Sequence, residues 1–352
     1  MSTELFEATD PRDKIFALLG VSKAHDRASI TPDYEQSVRH VYTQATVYFI
    51  TRLKILLILR FDHDNKSNAF NLPSWVPDYT LQPPTPDPDW TRPGFVPFMF
   101  DYDCVGDNAL RLHAVHPNTG WPNSMYELQV RSLHVDTIVF AGPNPHVPIY
   151  LGFDESERLE TIERRVSQLR NNVKAWEVEI EEHTSCPYLP AQSKAEAFWR
   201  TLMGNRTQDG ERLPDGPQNH QFEVWMDRSK VPTGFREGDT DLSDGERVRL
   251  YARPFVTAAV RCSAGRNFII TRNGYMGLAP MKSKPGDSVF ILEGVKVPFV
   301  LRKSEPLVNE EPVGKLLDGT WSVVGESYLH GIMEGQFTSQ SKIDDIRMVR
   351  LV

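Results

Sequence analysis

Glu326, Tyr328 and His330 stand at alternate positions in the segment GESYLHGIMEG. On a strand, side chains two residues apart share a face. A carboxylate, a phenol and an imidazole side by side can orient a carbonyl or move a proton, which makes these three the catalytic candidates. The same alternation fits a hydrogen-bonded network that locks a strand to a loop, the usual state of buried polar clusters. Four further residues are candidates for contact with a substrate. Trp75, between the prolines of LPSWVPDY, suits either the wall of an apolar pocket or an anchor for its loop. Tyr275 and Met276, at a strand end in GYMGL, fit a wall or the core. His113 in ALRLHAV fits a ligand contact or an exposed imidazole.

The chemistry open to such residues is narrowed by what surrounds them. No Gly-x-Gly-x-x-Gly follows a strand and no phosphate-binding P-loop occurs, so a nucleotide cofactor has no cradle. His-Glu-x-x-His and paired Cys-x-x-Cys are missing, and Gly-x-Ser-x-Gly is missing too. Cys104, Cys186 and Cys262 are scattered and form neither a disulfide framework nor a metal site. The expectation is a chain without cofactor or metal, left with binding, or with catalysis by pocket shape and hydrogen bonding. A net charge of −8 argues against a nucleic-acid partner, and no Lys/Arg stripe is visible. The apolar run from Val47 to Phe61 is broken by Arg52, Lys54 and Arg60, which excludes membrane insertion by this run and predicts a buried helix. No apolar signal region opens the chain, and three unpaired cysteines suit a reducing, cytoplasmic setting.

The elements that must position these residues follow from periodicity and punctuation. Apolar content of 40% and charged content of 24% over 352 residues are ordinary for a globular protein. The C-terminal run from Gly265 to Gly335 alternates short apolar segments with Gly, Pro and Asp. It predicts strands at Phe268–Ile270, Val289–Leu292, Pro298–Leu301 and Trp321–Val324, with a hairpin turn at Asn273-Gly274. Residues 109–140 predict two or three more strands from ALRLHAV, YELQVRSL and HVDTIVF. Residues 10–19 predict a short helix, and a long helix follows with Asp33 as its cap. Leu159, Ile162, Val166, Leu169, Val173, Trp176 and Ile180 step by three and four, which predicts a helix over 155–183 with one apolar seam. That seam must be buried within the chain or, in a homodimer, against a second copy. Residues 196–204 predict another helix, residues 204–221 a mobile surface loop, and residues 246–262 a helix kinked or broken near Pro254. The fold class is α+β: a helical N-terminal segment, an antiparallel β body (a small barrel or strongly curved sheet) and a helical insertion. By residue, 1–98 is the helical segment with a proline-rich loop, 99–150 a β segment, 151–261 the insertion, and 262–352 a C-terminal β unit forming one body with 99–150.

Several of these segments carry a family likeness. The residues are Gly274, Tyr275, Gly277 and Leu278; Gly286 and Asp287; Pro298 to Arg302; and Gly325, Glu326, Tyr328, His330, Gly331, Met333 and Gly335. With DPRDKIFALLG, ITPDYEQSVRHVY, LPSWVPDY and EAFWRTLMG upstream, the chain resembles the C-terminal region of fungal heterokaryon-incompatibility proteins. In that family a death-executing half, similar to a Toll/interleukin-receptor fold, precedes the DPRDK segment. Here that segment begins at residue 10, so the expectation is a chain lacking that half, and its activity is not carried over. Two functions are compatible with such a remainder. One is a cofactor-independent enzyme of fungal natural-product biosynthesis, holding a small apolar polyene or diene in a shaped pocket for cyclisation or isomerisation in the manner of a pericyclase. The other is a non-catalytic recognition or regulatory module that binds a partner chain.

Overall fold

The computed structural model describes residues 8–19, 30–53, 58–59, 68–81, 102–105, 126–142, 155–183, 185–188, 190–214, 216, 219–232, 243–263, 265–304 and 317–352. His113 and the strand expected around it lie outside these residues. The first helix, α1 (Asp13–Leu19), is led in by Asp10, whose carboxylate accepts from the Arg12 backbone N–H and pairs with the Arg12 guanidinium at 2.7 Å. Arg12 also donates to the carbonyls of Tyr34 and, at 2.8 Å, Gln36. One arginine thereby staples the entry of α1 to the start of the next segment. The second helix, α2 (Val38–Leu53), begins later than Asp33. Asp33 accepts from Glu35 N–H within a turn, and Ser37 Oγ accepts from His40 N–H at 3.2 Å, so the serine takes the capping role.

Eight strands make one sheet: β1 (Leu128–Gly142), β2 (Arg266–Thr271), β3 (Met276–Pro280), β4 (Ser288–Leu292), β5 (Phe299–Lys303), β6 (Trp321–Glu326), β7 (Tyr328–Leu329) and β8 (Ile346–Leu351). Their order is β4-β5-β6-β8-β1-β2-β3-β7, and β4 also pairs with β1. That extra pairing closes β1, β4, β5, β6 and β8 into a five-stranded ring, with β2, β3 and β7 as a flap beyond β1. The two segments read as separate strands, YELQVRSL and HVDTIVF, run from Leu128 onward as one strand of 15 residues. It pairs antiparallel with β8, β4 and β2 in turn, with register shifts at His134/Asp136 and Ile138/Phe140. The irregularities bend the strand so that it serves ring and flap together. Asp136 fixes this corner, accepting from Thr137 N–H and, at 2.8 Å, from Asn273 N–H at the β2–β3 turn.

Strand β4 is buried along its whole length, which explains its unbroken apolar run. Val289 and Ile291 join a cluster with Leu133, Val300, Val324 and Ile346, supplied by every strand of the ring. Phe290 and Leu292, on the opposite face, join one that includes Phe16, Tyr42 and Trp75. The N-terminal helices thus cover the outside of the ring. The ring is weakest between β6 and β8, which share a single parallel pair, Trp321 with Leu351. Ser74 fills that seam: its N–H donates to Val352 O at 2.8 Å, its hydroxyl bonds the same oxygen, and its Oγ accepts from Val323 N–H at 2.9 Å.

The insertion supplies α3 (Glu155–Glu182), α4 (Lys194–Leu202), α5 (His220–Met226) and α6 (Asp244–Ser263). Helix α6 runs unbroken through Pro254. The seam of α3 is buried inside the chain: Leu169, Val173, Trp176 and Ile180 pack with Phe198, Phe255 and Phe268, and Trp176 stacks on Phe268 at 5.1 Å between centroids. The segment after α4 is not a loose loop. Its residues 204–214 fold back on themselves, and arginines from α4 and α6 hold its carbonyls. Among the described residues, no helix is long and apolar enough to cross a membrane.

Candidate functional site

Where the flap meets α4, three tyrosines and a histidine converge. Tyr328 lies on β7, which pairs with β3 through Tyr328–Leu278 and Leu329–Gly277. His330 follows directly, and its N–H donates to Met276 O at 2.9 Å, extending the pairing by one residue. Gly277 lets the strands approach, since a Cβ there would lie 2.4 Å from Tyr328 O. Tyr188, from the turn before α4, accepts from Met276 N–H at 2.6 Å, and its ring lies 5.2 Å from that of His330. Tyr102 packs its ring 5.6 Å from Tyr328 and bonds Gly204 O through its hydroxyl.

The imidazole is bonded on both sides. Its Nδ1 lies 2.9 Å from Tyr328 Oη, and its Nε2 lies 2.8 Å from Gln192 Oε1. An amide oxygen can only accept, so Nε2 carries the proton and Nδ1 accepts from the phenol. A relay results: Tyr328 O–H to His330, and His330 N–H to Gln192. His330 is 3% exposed. Burial, reinforced by the Arg200 charge, pushes its pKa down to about 3, which keeps the ring neutral. Burial raises the Tyr328 and Tyr188 hydroxyls above the usual phenol range, so both stay protonated. The Cys262 thiol is pushed up to about 12 by burial and is no nucleophile at neutral pH.

Arg200, buried on α4, organises the floor of this region. Its Nε pairs with Glu196 Oε1 at 2.9 Å, its Nη1 bonds Asn205 Oδ1 at 2.8 Å, and its Nη2 bonds the carbonyls of Pro214 and Gly216 at 2.8 and 3.0 Å. The guanidinium is thus compensated by one carboxylate and three neutral oxygens.

Of the residues singled out in the sequence, Tyr328 and His330 are brought together, and Tyr275 and Met276 lie beside them. Tyr275 is half-buried with its ring 6.1 Å from Tyr188, while Met276 meets the site through its backbone and packs its side chain in the helical core. Glu326 is engaged elsewhere: its carboxylate pairs with Arg266 at 2.9 Å, and its carbonyl takes a second guanidinium bond at 2.9 Å. The change from β6 to β7 at Ser327 breaks the alternation that would have put it beside Tyr328. Trp75 is fully buried in the cluster between N-terminal helices and ring, its Nε1 donating to Tyr126 O at 3.1 Å. His113 falls outside the described residues. Tyr102, Tyr188, Gln192 and Arg200 were not anticipated. Gln192 is 138 positions from His330, and no local pattern marks such a partner. Among the described residues no group of three or more His, Cys, Asp or Glu side chains is placed to hold a metal ion.

Residues 246–349 match the family described as the Het-6 beta-barrel domain. The chain is 24% identical over 380 residues to Heterokaryon incompatibility protein 6, OR allele, of Neurospora crassa. That alignment covers 97% of this chain and 51% of the relative, so the chain spans about half the length of the relative it matches. No solved structure matches. The matched domain holds β2 to β7 and most of β8, whereas β1, which pairs with three of the other strands, lies outside it. In its strands and across nearly its whole length, the chain resembles the C-terminal region of fungal heterokaryon-incompatibility proteins.

Proposed function

We propose that this chain is a non-catalytic recognition or regulatory module of heterokaryon-incompatibility type, acting through contact with a partner chain. The observation that carries this reading is the state of the polar cluster. Tyr328 and His330, both buried, direct their side-chain hydrogen bonds to each other and to the half-buried Gln192. A general acid or base needs a pKa near the working pH and an open path to its substrate. His330, neutral and bonded at both nitrogens, serves better as a tie between the flap and the turn before α4. The relative's name assigns it to heterokaryon incompatibility, which favours recognition over biosynthesis.

Deleting the gene in its own host, then scoring colony fusion and the metabolite profile together, tests the proposal. The expected outcome is altered compatibility between strains with unchanged metabolites. An accumulating uncyclised polyene or diene precursor with normal fusion would overturn it, and would assign the chain to the cofactor-independent cyclase class instead.

A further inference from the structure

The segment following α4 crosses the tyrosine cluster, and its fastenings differ in strength along its length. Its root is held firmly. Gly204 and Asn205 adopt left-handed backbone angles of φ +60° and +54°. A Cβ at Gly204 would sit 3.0 Å from Tyr102 Oη and 3.3 Å from Cys262 Sγ, so the chain passes there in close contact with the core. Arg200 holds both ends of the segment at once, through Asn205 on one side and Pro214 and Gly216 on the other.

Between these ends the segment is a small hairpin with its own bonds. Thr207 N–H donates to Glu211 O at 2.8 Å, Gly210 N–H to Thr207 O at 3.1 Å, and Leu213 N–H to Asn205 O at 3.2 Å. Its outer part is latched by Arg212 to Glu334 at 3.0 Å, with side chains 58% and 32% exposed, and by Arg261 to Gln208 O at 2.7 Å. Beneath it, Arg206 lies over the Tyr102 ring at 4.9 Å, and Tyr102 in turn packs on Tyr328.

We propose that residues 204–214 form a hinged strap, fixed at its root by Arg200, that swings outward as a unit when the Arg212–Glu334 latch breaks and the Gln208 carbonyl leaves Arg261. Its internal bonds keep the hairpin intact during opening, and the lift removes Arg206 from Tyr102. The Tyr102 ring, which packs on Tyr328, then loses the guanidinium that lies over it. A latch made of an exposed ion pair is weak and salt-sensitive, whereas a root made of a buried guanidinium is neither.

Hydrogen–deuterium exchange on the full chain tests this, comparing wild type with Glu334→Gln and Arg212→Gln at low and high salt. Peptides covering 205–213 should exchange about 2–5-fold faster in either variant, and in wild type at high salt, with salt having little further effect on the variants. Peptides covering β4 should stay unchanged in all conditions. Unaltered exchange in 205–213 in both variants would overturn the strap. Acceleration of 205–213 only in step with β4 would overturn it as well, since that pattern reports global loosening.

Discussion

Acidification should weaken this fold through His330, and the size of the effect follows from its surroundings. The imidazole faces Arg200 from α4, Tyr328 from β7, and Tyr188 and Gln192 from the turn before α4. None of these groups supplies a negative charge, and burial with the nearby guanidinium puts the folded-state pKa at about 3. In an unfolded chain a histidine titrates near 6.5. Between these values the unfolded state binds a proton that the folded state does not, so stability rises with pH across the window. The contribution is complete above the unfolded pKa and is lost as pH falls toward the folded one. Each pH unit within the window is worth about 1.4 kcal/mol, so acidifying from near 6.5 to 5 removes roughly 2 kcal/mol. The assay is urea unfolding followed by tryptophan fluorescence at several pH values, for wild type and His330→Gln. Carboxylates and His134, whose pKa is also lowered by burial, titrate alike in both, so the difference in slope belongs to His330. Wild type should lose stability more steeply below pH 6.5 than the variant, whatever their offset at pH 7. Parallel slopes would refute the neutral, buried imidazole.

Three further outcomes follow from the same contacts. Tyr328→Phe leaves His330 Nδ1 buried without its donor, and should lower unfolding free energy by about 1–3 kcal/mol, read from the urea midpoint. Asp287, 1% exposed, takes both arms of Arg302 at 2.8 and 2.9 Å and the Lys284 N–H at 2.9 Å. This is more than a surface pair, and Asp287→Asn should cost about 1–3 kcal/mol by the same measurement. Ser74→Ala removes the acceptor for Val323 N–H in the β6–β8 seam, so hydrogen exchange of that amide should accelerate while β4 amides keep their protection.

The strand segments and the helical seam were legible because each is specified locally. Four short apolar runs coincide with β2, β4, β5 and β6, the third beginning one residue early at Pro298, and the three- and four-residue steps from Leu169 to Ile180 mark the buried side of α3. The likeness to incompatibility proteins was legible too, since it rests on residue identities in order along the chain. Strand β3 was read only as the far side of the Asn273-Gly274 hairpin, without bounds, because MGLAP lacks both alternation and β-branched residues, and β8 was missed because two arginines interrupt IRMVRL; pairing with neighbours decides both. The segment at 204–214 reads as a loop because its composition is polar, yet Arg200 and Arg261 hold its carbonyls from outside and its own Arg212 pairs with the distant Glu334. The site divides along the same line. Alternation put Glu326, Tyr328 and His330 on one imagined face, and the step at Ser327 sent the carboxylate to Arg266 instead. Local sequence therefore fixed which segments are apolar and periodic, because backbone propensity and side-chain spacing act over a few residues. Ring closure by β1, Ser74 in the seam, and Gln192 on His330 were decided only in three dimensions, because burial and hydrogen bonding depend on which distant segments arrive at the same place.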